Sequence, residues 1–246
     1  MLKAVRQHYY QAAYVRSAAS SPHECPVCGQ GLRKFMRSRW GDSVCCVCRS
    51  HERHRLVWLF FQRQTNLFDG RPKSMLHVAA EEQFQMRLGP ALGAGYLTAD
   101  LLSPRAMVRM DITDIQYPGS HFDVIYCSHV LEHVPDDRAA MREFARVLKP
   151  DGWSVLLVPI FGEKTFEDPA VTSPQDRLRV FGQEDHVRIY GPDFADRLVE
   201  SGMEVRKFLP TDFLSVREMA RFDLTALAGD IFLCKKRTPP GGVAAG

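Results

Sequence analysis

The sequence predicts an α/β protein built on a mostly parallel sheet, with a small metal-binding segment ahead of it. The first observation is the apolar pattern between Val108 and Ile160. It reads as a buried strand (Phe122 to Cys127), an amphipathic helix (about Arg138 to Leu148), a turn at Pro150-Asp151-Gly152 and a second buried strand (Trp153 to Val158). Short apolar runs flanking a period-3.6 helix make a βαβ unit, which implies parallel strands. The second observation is the polar residues where those strands stop: Asp111, then Cys127, Ser128 and His129. In open parallel sheets, ligands bind beyond the carboxyl ends of the strands. The third is a pair of Cys-x2-Cys knuckles near the N-terminus, Cys25/Cys28 and Cys45/Cys48.

At 246 residues the chain has room for one large domain and a small appendage. A composition of 45% hydrophobic and 25% charged residues argues against long disordered tracts away from the ends. A net charge of +3 makes no strong global case for nucleic acid. The charge is uneven, however. Arg33, Lys34, Arg37, Arg39, Arg49, Arg53, Arg55 and Arg63 are opposed only by Asp42 and Glu52, which predicts a local basic face. The absence of a run of about 18 apolar residues predicts no membrane-spanning helix. Met1 to Ser20 lacks the apolar core of a signal peptide. Four of the seven cysteines have metal-ligand spacing, which suits a reducing, cytoplasmic setting.

In chain order, residues 1–22 read as a short helix carrying Tyr9, Tyr10 and Tyr14, followed by a linker. Residues 23–50 read as a zinc knuckle. Each Cys-x2-Cys turn presents two thiolates on one side, so Cys25, Cys28, Cys45 and Cys48 are the ligands by spacing and Cys46 is the spare. A closed four-thiolate site leaves no open position, which makes it structural. The metal would supply the folding energy that some 20 intervening residues cannot. Residues 51–72 read as a connecting helix capped by Ser50, with Leu56, Leu59 and Phe60 on its apolar face. His51 and His54, with Arg53 and Arg55, are either structural or phosphate-binding. Residues 73–237 form the main domain, and 238–246 a flexible tail.

Within the main domain the run Asp111-Ile-Thr, then Phe122-Asp-Val-Ile, then His129-Val-Leu-Glu-His-Val-Pro-Asp136, then Arg146-Val-Leu-Lys-Pro-Asp-Gly-Trp153 resembles a class I S-adenosylmethionine (SAM)-dependent methyltransferase. The resemblance covers roughly residues 74 to 236. It implies a Rossmann-like, seven-stranded, mostly parallel sheet with an antiparallel edge strand, with Met203 to Leu209 and Asp230 to Lys236 as the last two strands. A typical member carries a glycine-rich turn after the first strand. Here Leu76-His-Val-Ala-Ala-Glu-Glu-Gln83 has no glycine, and it resembles a subgroup with a His-Val-Ala-x-Glu loop. Ala79 and Ala80 are small enough for close approach but, unlike glycine, should not visit positive φ. Glu81 or Glu82 could accept from the cofactor's ammonium group.

Asp100 ends the second strand about 20 residues after that loop, a spacing that suits a carboxylate on ribose hydroxyls; a loop-capping aspartate is the alternative. By resemblance Asp111 would accept from the adenine amino group, with Ile112 backing the ring, and a turn aspartate is the alternative there. The implied cofactor set is Val78, Ala79, Ala80, Glu81, Asp100, Leu101, Asp111, Ile112, Cys127, Ser128 and His129. Glu132 and His133, at the start of the next helix, read as architectural or near the cofactor.

Residues 160–191 lack clear periodicity and end in Phe181-Gly-Gln-Glu-Asp-His-Val-Arg-Ile-Tyr-Gly191, the composition of a pocket wall or lid. Asp185 and His186 could form an oriented base, with His129 as another candidate. Arg188 and Tyr190 could bind an anionic or hydroxylated substrate, and a structural network is the alternative for each. Thr211 to Gly229 reads as irregular. The function implied is SAM-dependent methyl transfer to an oxygen or nitrogen of a small-molecule or glycan substrate, with a structural zinc. An RNA methyltransferase using the knuckle for RNA, and a non-catalytic scaffold, are the competing readings.

Overall fold

The computed structural model describes residues 14, 15 and 21–237. The helix expected around Tyr9 and Tyr10, and the tail at 238–246, lie outside the described residues. The chain divides into two compact units: Met1–Arg71 with Glu81–Ala91 and Leu209–Gly229, and Pro72–Ala80 with Leu92–Phe208 and Asp230–Gly246.

The first unit holds two short hairpins, β1 (His23–Cys25) with β2 (Gln30–Leu32) and β3 (Met36–Arg37) with β4 (Ser43–Val44). Helix α1 (Glu52–Gln64) follows, and α2 (Glu82–Leu92) and the helix Val216–Phe222 come from later in the chain. The capping expected from Ser50 is not made. His51 holds the cap position, and the Ser50 hydroxyl lies 3.2 Å from the Cys25 and Cys48 sulfurs. The α1 face is broader than Leu56, Leu59 and Phe60, because Val57, Trp58 and Phe61 are buried too and the Phe84 ring packs against Trp58 and Phe61.

Two charged side chains tie the later segments to α1. Glu52 accepts from the Ser43 N–H and from the N–H and hydroxyl of Thr225. Arg55, fully buried, donates through Nε to the Phe222 carbonyl. Its Nη1 donates to the Ser43 and Ser50 carbonyls, and its Nη2 to the Ser43 hydroxyl and the Asp223 carbonyl. All five guanidinium donors are committed, so Arg55 is structural rather than phosphate-binding.

The second unit is organised by a sheet of β5 (Met75–Val78), β6 (Tyr96–Asp100), β7 (Val108–Arg109), β8 (Phe122–Ser128), β9 (Leu148–Leu157), β12 (Met203–Phe208) and β13 (Ile231–Lys236). The two-residue strands β10 (Phe166–Glu167) and β11 (Arg188–Ile189) pair separately. The order is β12-β13-β9-β8-β5-β6-β7. Strands β7, β6, β5, β8 and β9 are parallel, and β13 runs antiparallel to both β9 and β12. This is the seven-stranded, mostly parallel α/β sheet with antiparallel pairing at one edge that the sequence predicts. The central strands are apolar on both faces, as strands covered on both sides must be.

The Pro150-Asp151-Gly152 turn lies within β9, where the register jumps from Phe122↔Leu148 to Val124↔Trp153. A Cβ at Gly152 would sit 2.8 Å from the Asp123 carbonyl oxygen, so this irregularity excludes a side chain there. Glu132 and His133 do not begin a helix; they lie in a single 3-10 turn, Leu131–His133. Helix α3 (Asp137–Val147) starts afterwards, capped by Asp136. The segment expected to be irregular after Ile160 contains α4 (Pro174–Phe181), with Ser173 as its cap and Gly182 at φ +84° after its last turn. Helix α5 (Phe194–Glu200) packs Phe194 against Phe232.

Candidate functional site

Register places the strand ends in a row. Val78 pairs with Ala99 on one side and Cys127 on the other, so Ala79, Asp100 and Ser128 emerge together at the carboxyl edge. Each of the loops after β5 and β8 turns through a left-handed residue, Ala79 at φ +47° and His129 at φ +55°. This corrects the expectation that the glycine-free loop avoids positive φ. The conformation costs an L-residue about 1–2 kcal/mol, and it is held by the Ala79 N–H bonding the Ala99 carbonyl at 2.8 Å. Ala79→Gly should therefore raise stability by about 1 kcal/mol. An unchanged or lower urea midpoint would show that the loop carries no such strain.

Asp100 and Asp111 serve their own loops with one oxygen each. Asp100 Oδ1 accepts from the N–H groups of Leu102 (2.8 Å) and Ser103 (2.7 Å). Asp111 Oδ1 accepts from the Thr113 hydroxyl (2.7 Å) and N–H (2.8 Å), and these bonds hold its carboxyl below the usual carboxylate range. Both aspartates therefore act as loop caps, and each keeps Oδ2 for another donor. An open groove of about 680 Å³ runs past Leu101, Val108, Asp111 and Tyr117. Leu101 is exposed beside it, whereas Ile112 and Val78 pack in the core.

The side chain of Cys127 is also in the core. The Ser128 hydroxyl is buried and makes no hydrogen bond among the described residues. His129 lies with Nδ1 3.5 Å from Glu132 Oε1. Ala80 is half-buried at the loop. Glu81 belongs to the first unit, where its Oε1 faces His54 Nε2 at 3.4 Å.

The 160–191 segment is built inward rather than left open. Arg188 donates to the carbonyls of Leu131, Val134 and Pro135 and to Glu167. Tyr190 donates to Asp137 Oδ2 at 2.6 Å, and its burial beside Asp137 pushes the phenol far above its ordinary range. Arg197 donates to the same oxygen at 3.0 Å. Arg188 and Tyr190, expected to face substrate, spend their donors inside this buried network. Asp185 does not orient His186; its Oδ2 lies 3.2 Å from His133 Nδ1. The His186 ring is buried edge-on to His133 with centroids 4.6 Å apart. Burial, with His133 alongside, pushes the proton affinity of His186 down.

In the first unit the sulfurs of Cys25, Cys28, Cys45 and Cys48 lie within 4.8 Å of one another. Cys25 is 3.6 Å from Cys48, and Cys28 is 3.8 Å from Cys45. Tetrahedral zinc, with Zn–S about 2.3 Å, sets sulfurs about 3.8 Å apart. The two knuckles share one geometry. The Gly29 N–H bonds the Cys25 carbonyl and the Arg49 N–H bonds the Cys45 carbonyl, with φ +73° and +63° after each second cysteine. Hydrogen bonding to the Cys25 sulfur pushes the Cys28 and Cys45 thiols up and Cys48 down. This donor set fits zinc.

Among known proteins, a 74-residue stretch is 38% identical to an uncharacterised methyltransferase, YcgJ, of Bacillus subtilis, covering 30% of this chain and 28% of that one. A 38-residue stretch is 53% identical to a ubiquinone biosynthesis O-methyltransferase of Albidiferax ferrireducens, covering 15% of each. Both matches thus span well under two thirds of the relatives' lengths. The crystal structure of the YcgJ protein superposes with a TM-score of 0.51 at 15% identity, over 74% of this chain and 98% of that one. A SAM-dependent methyltransferase from Mesorhizobium loti gives 0.51 at 16% identity over the same shares. At such identities the likeness is one of fold. Among the described residues no helix is long and apolar enough to cross a membrane. Residues 28–156, more than half of the chain, match the family model described as a methyltransferase domain, and the chain belongs to that family.

Proposed function

We propose that the chain is a SAM-dependent methyltransferase acting on an oxygen or nitrogen of a small molecule, with a structural zinc on Cys25, Cys28, Cys45 and Cys48. The observation that carries the reading is the pair of aspartates at and just beyond adjacent strand ends, each bonding its own loop through Oδ1 with Oδ2 bonded to no donor among the described residues, with Asp111 lining an open groove. Asp100 would take the ribose hydroxyls and Asp111 the adenine amino group, with Leu101 covering the ring. The left-handed turn at Ala79 would let the backbone approach the cofactor as a glycine does. When bound, SAM supplies a methyl group already activated by its sulfonium, so the protein's work is to position the acceptor and exclude water. His129, half-buried just after β8, would take the acceptor's proton. An acceptor hydroxyl is supported by the relative named as an O-methyltransferase.

Calorimetric titration of zinc-loaded protein with SAM and S-adenosylhomocysteine tests this. Both should bind, and Asp100→Ala should weaken binding by about 1.5–3 kcal/mol, the scale of a hydrogen bond to a charged group. Failure of the wild-type chain to bind either compound would leave the fold as a scaffold.

A further inference from the structure

We propose that Glu132, His133 and His186 form a binding site for a divalent transition-metal ion, separate from the four cysteines. The three side chains each offer one ligand atom, and these atoms lie within 4.8 Å of one another. They come from two places: Glu132 and His133 from the 3-10 turn after β8, and His186 from the segment leading into β11. The Val187 N–H donates to the Glu132 carbonyl at 2.9 Å, which fixes these two stretches together.

The chemistry of the donors points to a metal. His186 is only 5% exposed, and its Nε2 has no hydrogen-bond partner among the described residues. A buried, unmatched ring nitrogen on a side chain clustered with a second imidazole and a carboxylate is a ligand in waiting, because leaving it unmatched costs about 1–3 kcal/mol. Asp185, 3.2 Å from His133 Nδ1, orients that ring as outer carboxylates orient metal-bound imidazoles. Two imidazoles and one carboxylate make a set that suits zinc, iron(II), cobalt or manganese and leaves coordination positions open. Ligands on one such ion sit about 3–4 Å apart, so binding needs the side chains to close by about an ångström. His129, beside Glu132, would border the open side.

This deepens the methyltransferase reading and rests on it for the role of the ion. An acceptor hydroxyl on the open position would be acidified. Its proton would pass to His129 or solvent, its oxygen would form the bond to the methyl carbon, and the C–S bond would break with its electron pair going to sulfur. The substrate class is then a small molecule with a hydroxyl and a neighbouring oxygen able to chelate.

The test is a Co²⁺ titration of the full chain with zinc already on the cysteines, followed by visible absorption and elemental analysis, without SAM. One further equivalent should bind, with weak d–d bands and no thiolate charge-transfer band. A second zinc in the purified protein that His186→Gln removes is the same result. His186→Gln and His133→Gln should weaken the site at least tenfold while the cysteine zinc stays. Should His186→Gln not fold, Asp185→Ala, at an exposed carboxylate, should still weaken it about tenfold. No Co²⁺ binding at millimolar concentration, or binding that these variants leave unchanged, overturns the site. SAM binding without Co²⁺ binding overturns this inference alone; Co²⁺ binding without SAM binding overturns the methyltransferase reading and leaves the site standing.

Discussion

Asp137→Ala should destabilise the sheet-containing unit by about 3–5 kcal/mol, the scale for removing one partner from a buried ionic network. Asp137 is 3% exposed at the start of α3, and its carboxylate accepts from the Tyr190 hydroxyl and, through both oxygens, from Arg197 Nη1, with Arg188 Nε at 3.7 Å. Without it Glu167, which is partly exposed, is the one carboxylate left to the two buried guanidiniums among the described residues. Asp137→Asn keeps the shape and the Tyr190 acceptor and should cost less, about 1–3 kcal/mol. Urea unfolding measures both. The comparison also separates two roles for Arg188 and Tyr190. A network that only held substrate would leave the midpoint where it is, whereas one that pins β11 beside the 3-10 turn shifts it.

Cys45→Ser should abolish stoichiometric zinc and with it the cooperative folding of the unit that holds the knuckles. Zinc sites of this kind contribute apparent binding energies of about 10–16 kcal/mol, and that energy is folding energy. The stretch from His23 to Val44 forms only the two short hairpins, so little else holds it. The consequence reaches α1, because the Arg55 guanidinium bonds the Ser43 and Ser50 carbonyls, which flank the second knuckle. Cys46→Ser is the control: Cys46 is buried but stands outside the sulfur cluster, so it should keep one zinc per chain. Elemental analysis with limited proteolysis reads both variants. One zinc per chain in Cys45→Ser would remove Cys45 from the site.

Much of the fold was legible because it is local. The βαβ pattern from Phe122 to Val158 yields β8, α3 and β9, since strand and helix periods are written within a dozen residues. The Cys-x2-Cys spacing brings each pair of sulfurs to one side for the same reason. Local signals also mark two helices in stretches expected to be irregular: Ser173-Pro174 before α4, and the Ser215-x-x-Glu218 capping box before Val216–Phe222.

Other features have no local signature. Ala79 adopts a glycine's conformation because the sheet holds its N–H on Ala99, a residue in a different strand. Residues 81–91 and 209–229 join the first unit through Phe84, Thr225 and Phe222, whose partners in α1 lie far away in sequence. Whether a charged or polar side chain faces a ligand or the interior is the hardest property to read.

By itself, then, the sequence determined the order and type of the sheet's central elements, the places of Asp100 at the end of β6 and Asp111 just beyond β7, and the spacing of the four cysteines. Only the tertiary structure decided that Arg188 and Tyr190 are spent on Asp137 and the 3-10 turn, that Asp185 serves His133, and that Glu132, His133 and His186 converge. The physical reason is that periodicity follows from a residue's neighbours in the chain. Hydrogen-bond partnership is settled by groups some 50 residues away, competing for the same few donors and acceptors.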